Sequence, residues 1–226
     1  MAKVTKKEED LRQQNMVEAV SKTEEFFKKY ANLMYGCIIG ILVIALCILA
    51  YNRFILQPKK QQATDQMASA ERWFDAGEYE LALNGDNNDL GFEDIISQYG
   101  SKAPAAVYMY AGVCKLQSGQ FEEAIDFLKK YNGNDPIMKA RAQACIGDCY
   151  VELKDYTTAI EWFTKAAKTT DNAFAAAYLL KAGIAAEAQG NNEQALSFYK
   201  EIKDQWNSAP EAMEIDKYIS RIEIAK

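Results

Sequence analysis

Residues 105–138 read AAVYMYAGVCKLQSGQFEEAIDFLKKYNGNDPIM, and residues 140–173 read ARAQACIGDCYVELKDYTTAIEWFTKAAKTTDNA. Laid one above the other, they agree in chemistry at fixed columns. Gly112 falls on Gly147, Phe121 on Tyr156, Ala124 on Ala159 and Leu128 on Phe163. Residues 176–208 make a third copy, with Gly183, Asn192, Ala195 and Tyr199 in those columns. A glycine and an alanine twelve residues apart suit two antiparallel helices, because a small residue on each lets the backbones approach while bulky neighbours fill the gap. Gly119 and Gly190 stand where the helices must turn and a positive φ is cheap, and Lys154 takes that turn in the middle copy.

A period near 34 with small residues at this spacing is the signature of tetratricopeptide repeats. Outward from the three copies, Ala70, Gly77, Tyr79 and Ala82 outline an irregular leading hairpin over residues 60–103. Its excess length falls in NGDNNDLG at residues 84–91, a loop by composition, followed by a short helix in FEDIISQYG. Asp86, Asn88 and Gly91 have a faint calcium-loop look, but Leu90 and Ser97 stand where oxygen ligands are needed, so a solvated turn is expected. Residues 209–225, with Met213, Ile215, Tyr218, Ile219 and Ile222, are expected to cap the stack.

Working outward to the other side, residues 30–52 (YANLMYGCIIGILVIALCILAYN) contain no charged side chain. A helix of that length rises about 34 Å, enough for a hydrocarbon core of ~30 Å. Tyr30, Tyr35 and Tyr51 suit the two interfaces. Residues 1–29, with six acidic side chains, do not resemble a cleaved leader, so a retained anchor is expected over 30–56. Arg12, Lys22, Lys28 and Lys29 on one side balance Arg53, Lys59, Lys60 and Arg72 on the other, so charge leaves the orientation open. Capping boxes at Thr5-x-x-Glu8 and Ser21-x-x-Glu24 predict a partly helical N-terminal arm over 1–29. The expected fold is therefore all-α: one transmembrane helix, then a tetratricopeptide α-solenoid over 57–226 of about three and a half hairpins plus a capping helix.

Composition narrows the function. The 226 residues include no histidine, which removes imidazole bases and imidazole metal ligands. Neither a phosphate-binding glycine loop nor a nucleophile constellation appears, so no enzyme and no cofactor is expected. A net charge of −6 disfavours nucleic acid as a partner. Cys37 and Cys47 lie in the span, and Cys114, Cys145 and Cys149 read as small packing residues. Function should then reside on the face lined by the first helix of each repeat. The register places Met67, Phe74, Met109, Val113, Leu116, Val151, Leu180 and Ile184 there, joined by Arg141, Asp148, Glu152 and Glu187. A mixed apolar and acidic lining suits a helix or an extended segment of a partner protein.

The order of parts also resembles the YfgM family of bacterial ancillary translocon subunits. The resemblance rests on VEAV at 17–20, the Phe26-Phe27 pair, the span, the helix immediately after it, and a repeat region of similar size ending in a short helix. It implies a single-span inner-membrane protein, with a cytoplasmic N-terminus and periplasmic repeats. The implied partners are the SecYEG translocon, a PpiD-like membrane-anchored prolyl isomerase, and nascent secreted proteins emerging from the channel. A cytosol-facing anchored receptor for targeting peptides or a chaperone is the alternative that the balanced charges leave open.

Overall fold

The computed structural model describes residues 2–170, 172 and 174–224, with side chains described at Met16 and from Lys28 onward. Among these residues the structure is all-helical, and it divides into two compact units, Met1–Pro58 and Lys59–Lys226.

In the first unit, α1 spans Ala2–Tyr51 without a break, and a π-helical turn, Asn52–Leu56, follows it. The arm expected to be partly helical is thus helical from Ala2, while the side chains of both capping boxes lie outside the described residues. The apolar stretch is exposed on every side: Ile38, Ile41, Leu42, Ile44, Leu46 and Leu49 are each at least half exposed. Its best window has a mean hydropathy of 2.8, so this helix is long and apolar enough to cross a membrane.

The second unit is a run of helical hairpins. Helices α2 (Gln57–Asp75) and α3 (Tyr79–Asn84) form the leading hairpin, and α4 (Phe92–Tyr99) follows as an extra short helix. The three regular hairpins are α5 (Ala105–Gln117) with α6 (Phe121–Lys129), α7 (Pro136–Glu152) with α8 (Tyr156–Thr169), and α9 (Phe174–Ala188) with α10 (Asn192–Gln205). Residues 209–225 resolve into a 3-10 turn, Pro210–Met213, and α11 (Ile215–Ile224). Ile215, Ile219 and Ile222 are buried, whereas Met213 is 83% exposed and contributes nothing to the cap's packing.

All four hairpins turn the same way. Gly77, Gly119, Lys154 and Gly190 have φ of 78, 75, 60 and 84°. Each donates its N–H three residues back, to Phe74, Leu116, Val151 and Glu187, and the next residue donates five back, to Trp73, Lys115, Tyr150 and Ala186. These are the paired bonds by which a left-handed residue closes a helix C-terminus. The leading hairpin therefore shares the turn of the regular repeats despite its divergent sequence. On the far side of the turns, Asp155 and Asn191 cap α8 and α10 by accepting from Thr158 N and Gln194 N, both at 3.1 Å.

The recurring columns meet inside each hairpin. A methyl group at Gly112 would stand 2.6 Å from Leu128 Cγ, and one at Gly147 would stand 2.6 Å from Phe163 Cε1. At Gly183 the same methyl would collide with the Tyr199 ring. Helices pack here at glycine contact, with the large residue sixteen positions on lying against the bare backbone. Loop 84–91 is folded rather than loose. Asp86 Oδ1 accepts from the amides of Asn88 and Asp89 at 2.7 Å, and Ser69 on α2 donates to Asp89 at 2.9 Å. Phe92 and Ile95 of α4 are fully buried beside Val107, Ala111 and Cys114. Lys115 secures this insertion, pairing with Glu93 on α4 and Glu123 on α6 at 2.9 Å each.

Candidate functional site: the face of the first helices

The residues expected to line this face divide by burial. Met67 and Met109, at 3% and 4% exposure, point into the hydrophobic cores rather than onto open surface. Val113, Leu116, Val151 and Leu180 are half-buried against those cores, each offering one apolar edge. Phe74 is half-buried in an aromatic group, edge-on to Tyr110 at 5.0 Å and to Tyr79 at 5.7 Å. Arg141, Glu152 and Ile184 are exposed. Asp148 and Glu187 are engaged within the chain. Lys181 Nζ donates to both Asp148 oxygens at 2.8 Å, and Arg221 and Tyr199 bond Glu187.

The structure adds a column that the sequence reading passed over. Tyr110, Cys145 and Lys181 each stand two residues before a repeat glycine, one helical position from the column that was chosen. With Arg141 and Tyr178 they form a continuous polar and aromatic strip from α2 to α9. At one end are Glu71 and Asp75, one turn apart on α2. Burial, and then the neighbouring Asp75 charge, raises the Glu71 carboxyl. Burial raises the Tyr110 phenol, the Glu71 and Asp75 charges raise it further, and Arg141 opposes them. Tyr178 is raised in the same way, by burial first and then by Cys145, again with Arg141 in opposition. The guanidinium of Arg141 thus lies within electrostatic reach of both phenols. Among the described residues Arg141 has no carboxylate partner. Tyr110 is also stacked on Phe92 at 5.2 Å, which fixes its ring.

Chemically this strip can recognise, but it offers no activated nucleophile. Burial pushes the Cys145 thiol up to about 11, and the Cys114 and Cys149 thiols up to about 12, so all three stay protonated near neutral pH. Phenols, one of them fixed by ring contacts, a guanidinium without a carboxylate partner among the described residues, and half-buried apolar edges are groups that bind polypeptide side chains. The signal for this strip was present in the repeat register. What the register lacked was the helix rotation that decides which of two adjacent columns faces outward.

Comparison with known proteins agrees with the geometry. Residues 140–172 match one tetratricopeptide-repeat model, and residues 177–206 match a second. None of the curated proteins matches the chain significantly. Among solved structures, the crystal structure of MamA superposes with a TM-score of 0.50 at 16% identity, covering 68% of this chain and 91% of that one. At that identity the likeness is one of fold alone. The chain therefore carries tetratricopeptide repeats in an all-helical solenoid, an architecture that works as a protein-interaction scaffold.

Proposed function

We propose that this protein is a membrane-anchored scaffold without catalytic activity, and that it holds segments of partner proteins on the strip formed by α2, α5, α7 and α9. The observation that carries this reading is Arg141 on α7, an exposed guanidinium without a carboxylate partner among the described residues, whose charge acts on Tyr110 of the preceding repeat and Tyr178 of the following one. The resemblance to the YfgM family supports a finer reading. On it, helix α1 anchors the chain in the bacterial inner membrane, the repeats lie in the periplasm, and the protein assists secreted proteins at the SecYEG translocon together with a PpiD-like prolyl isomerase. The half-buried apolar edges of Val113, Leu116, Val151 and Leu180 would contact those partners, with Phe74, Ile184 and Glu152 at the margins.

Two measurements test this reading. Protease added to intact spheroplasts should remove a C-terminal epitope without lysis. Copurification in mild detergent should recover channel subunits with the native chain and fewer with Arg141→Glu at unchanged thermal stability. An epitope protected until lysis would place the repeats in the cytosol and favour the receptor for targeting peptides instead. Loss of neither channel subunits nor any other partner on Arg141→Glu would refute the role given to the strip.

A further inference from the structure

The first-helix strip carries charges of both signs that do not pair with each other. Glu71 and Asp75 stand on α2 and Arg141 on α7, and none of the three is ion-paired among the described residues. All three nevertheless act on one group. The Tyr110 phenol on α5, raised first by burial, feels both carboxylates in one sense and Arg141 in the other. Its ring is fixed, edge-on to Phe74 of α2 at 5.0 Å and stacked on Phe92 of α4 at 5.2 Å. In hairpin order α5 follows α2 and precedes α7, so the strip has an acidic end, an aromatic platform and a cationic centre. It also continues past that centre. Ile137, one turn before Arg141, is 42% exposed, and Phe174, one turn before Tyr178 on α9, is 54% exposed. Farther along the same two helices, Lys181 and Asp148 neutralise each other at 2.8 Å, which leaves Arg141 as the uncompensated cation of the strip.

Charge complementarity across an interface fixes register and rejects wrong partners, because like charges brought together are costly. A uniformly acidic segment laid on this strip would meet Glu71 and Asp75, and a uniformly basic one would meet Arg141. We propose that the strip takes an internal segment of a partner protein with a set charge order: a lysine or arginine against Glu71 and Asp75, an aliphatic side chain over the Tyr110 ring, and a glutamate or aspartate on Arg141. A guanidinium suits that last contact, since its fork matches a carboxylate. The segment is internal because Ile137 and Phe174 extend the apolar surface beyond Arg141 and give the chain past the carboxylate something to cover. Neighbouring helices lie about 8–10 Å apart and an extended residue spans about 3.3–3.6 Å, so the two charges stand at most about six residues apart, and fewer as the side chains reach. This inference rests on the reading of the strip as a partner-binding face and adds the charge order to it.

The test measures fluorescence anisotropy with the full chain in phosphatidylcholine nanodiscs, with empty discs subtracted. The probes are labelled, C-amidated peptides holding one lysine and one glutamate, separated by about two to five alternating leucines and serines, in both orders. The best of them should bind saturably and lose about fivefold in affinity when either its lysine or its glutamate becomes glutamine. Arg141→Glu should cause the same loss, and a probe with lysine in place of its glutamate should recover it. Asp75→Lys should likewise be matched by a probe with glutamate in place of its lysine. Both residues are exposed, and the neutral probes interrogate the native chain, so the answer does not depend on a variant's folding. No saturable binding, equal affinity for charged and neutral probes, variants that reversed probes fail to rescue, or a probe with a free C-terminal carboxylate that outbinds its amide would each overturn the proposal. Partners still lost from copurification on Arg141→Glu would then leave the strip standing as the binding face, with only its charge order refuted.

Discussion

Arg221 on α11 donates through Nη2 to both carboxylate oxygens of Glu187 on α9, at 2.6 and 2.8 Å, and Tyr199 on α10 donates to the same carboxylate at 2.5 Å. One acidic side chain thus joins the last three helices. Tyr199 is fully buried, and burial followed by the adjacent Glu187 carboxylate holds its phenol well above the usual range. The two halves of this contact differ in cost. Glu187→Ala leaves a buried hydroxyl without an acceptor and should destabilise by about 1–3 kcal/mol. Arg221→Ala removes a pair whose arginine is 55% exposed and should cost less than about 1 kcal/mol. Denaturant titration of the two variants separates them, and equal losses would contradict the assignment.

The glycine columns predict a graded response to a single methyl group. Gly183→Ala drives Cβ into a Tyr199 ring held at its far end by Glu187, whereas Gly112→Ala meets Leu128 Cγ and Cδ2, part of an aliphatic side chain that no hydrogen bond holds in place. We expect Gly183→Ala to destabilise by about 1–3 kcal/mol, and by more than Gly112→Ala. Thermal melts of the two variants decide the order.

Lys154 holds φ of 60° where the other hairpins have glycine. A side chain in the left-handed region costs about 1–2 kcal/mol, part of which glycine returns as extra freedom in the unfolded chain. Lys154→Gly should raise stability by about 0.5–1 kcal/mol. A lowered melting temperature would show that the exposed side chain contributes more than its strain.

The thiols predict a one-sided pH response. Cys114 and Cys149 are raised by burial to about 12 in the folded chain, above their ordinary value. Their contribution is complete below that ordinary value and is lost as pH rises toward about 12, because only the unfolded chain ionises readily in between. Stability should fall on the alkaline side more steeply in the native protein than in Cys114→Ala or Cys149→Ala. Iodoacetamide at about pH 8 should leave both thiols unmodified until denaturant is added. Rapid modification of either thiol in the folded chain would contradict their burial.

The hairpins were legible in the sequence because their packing depends on the absence of a side chain. Gly112, Gly147 and Gly183 announce close backbone contact wherever they recur, and Gly119, Lys154 and Gly190 mark the turns by position alone. The helix in FEDIISQYG was equally plain, with Phe92 and Ile95 a turn apart on one face. The strip was only half legible. Arg141 and Asp148 lie on α7, Asp148 already engaged by Lys181; the expected lining passed over Tyr110, Cys145, Tyr178 and Lys181, and it included Met67 and Met109, which the structure buries. Adjacent columns of a helix differ by about 100° of rotation, and a single chain's spacing does not say which one the neighbouring hairpin covers.

By itself, the sequence determined everything set by local chemistry and fixed period: an apolar helix at the front, hairpins repeating every 35 or 36 residues, and left-handed closures between their helices. Tertiary structure decided the relations between residues far apart in the chain. Lys181 reaches Asp148 across 33 residues and Arg221 reaches Glu187 across 34, while Thr170 Oγ1 is buried without a partner among the described residues. The physical reason is that period and propensity act along one helix. Pairing, burial and cavity shape depend on the rotation and spacing of helices against each other, which only the packed core sets.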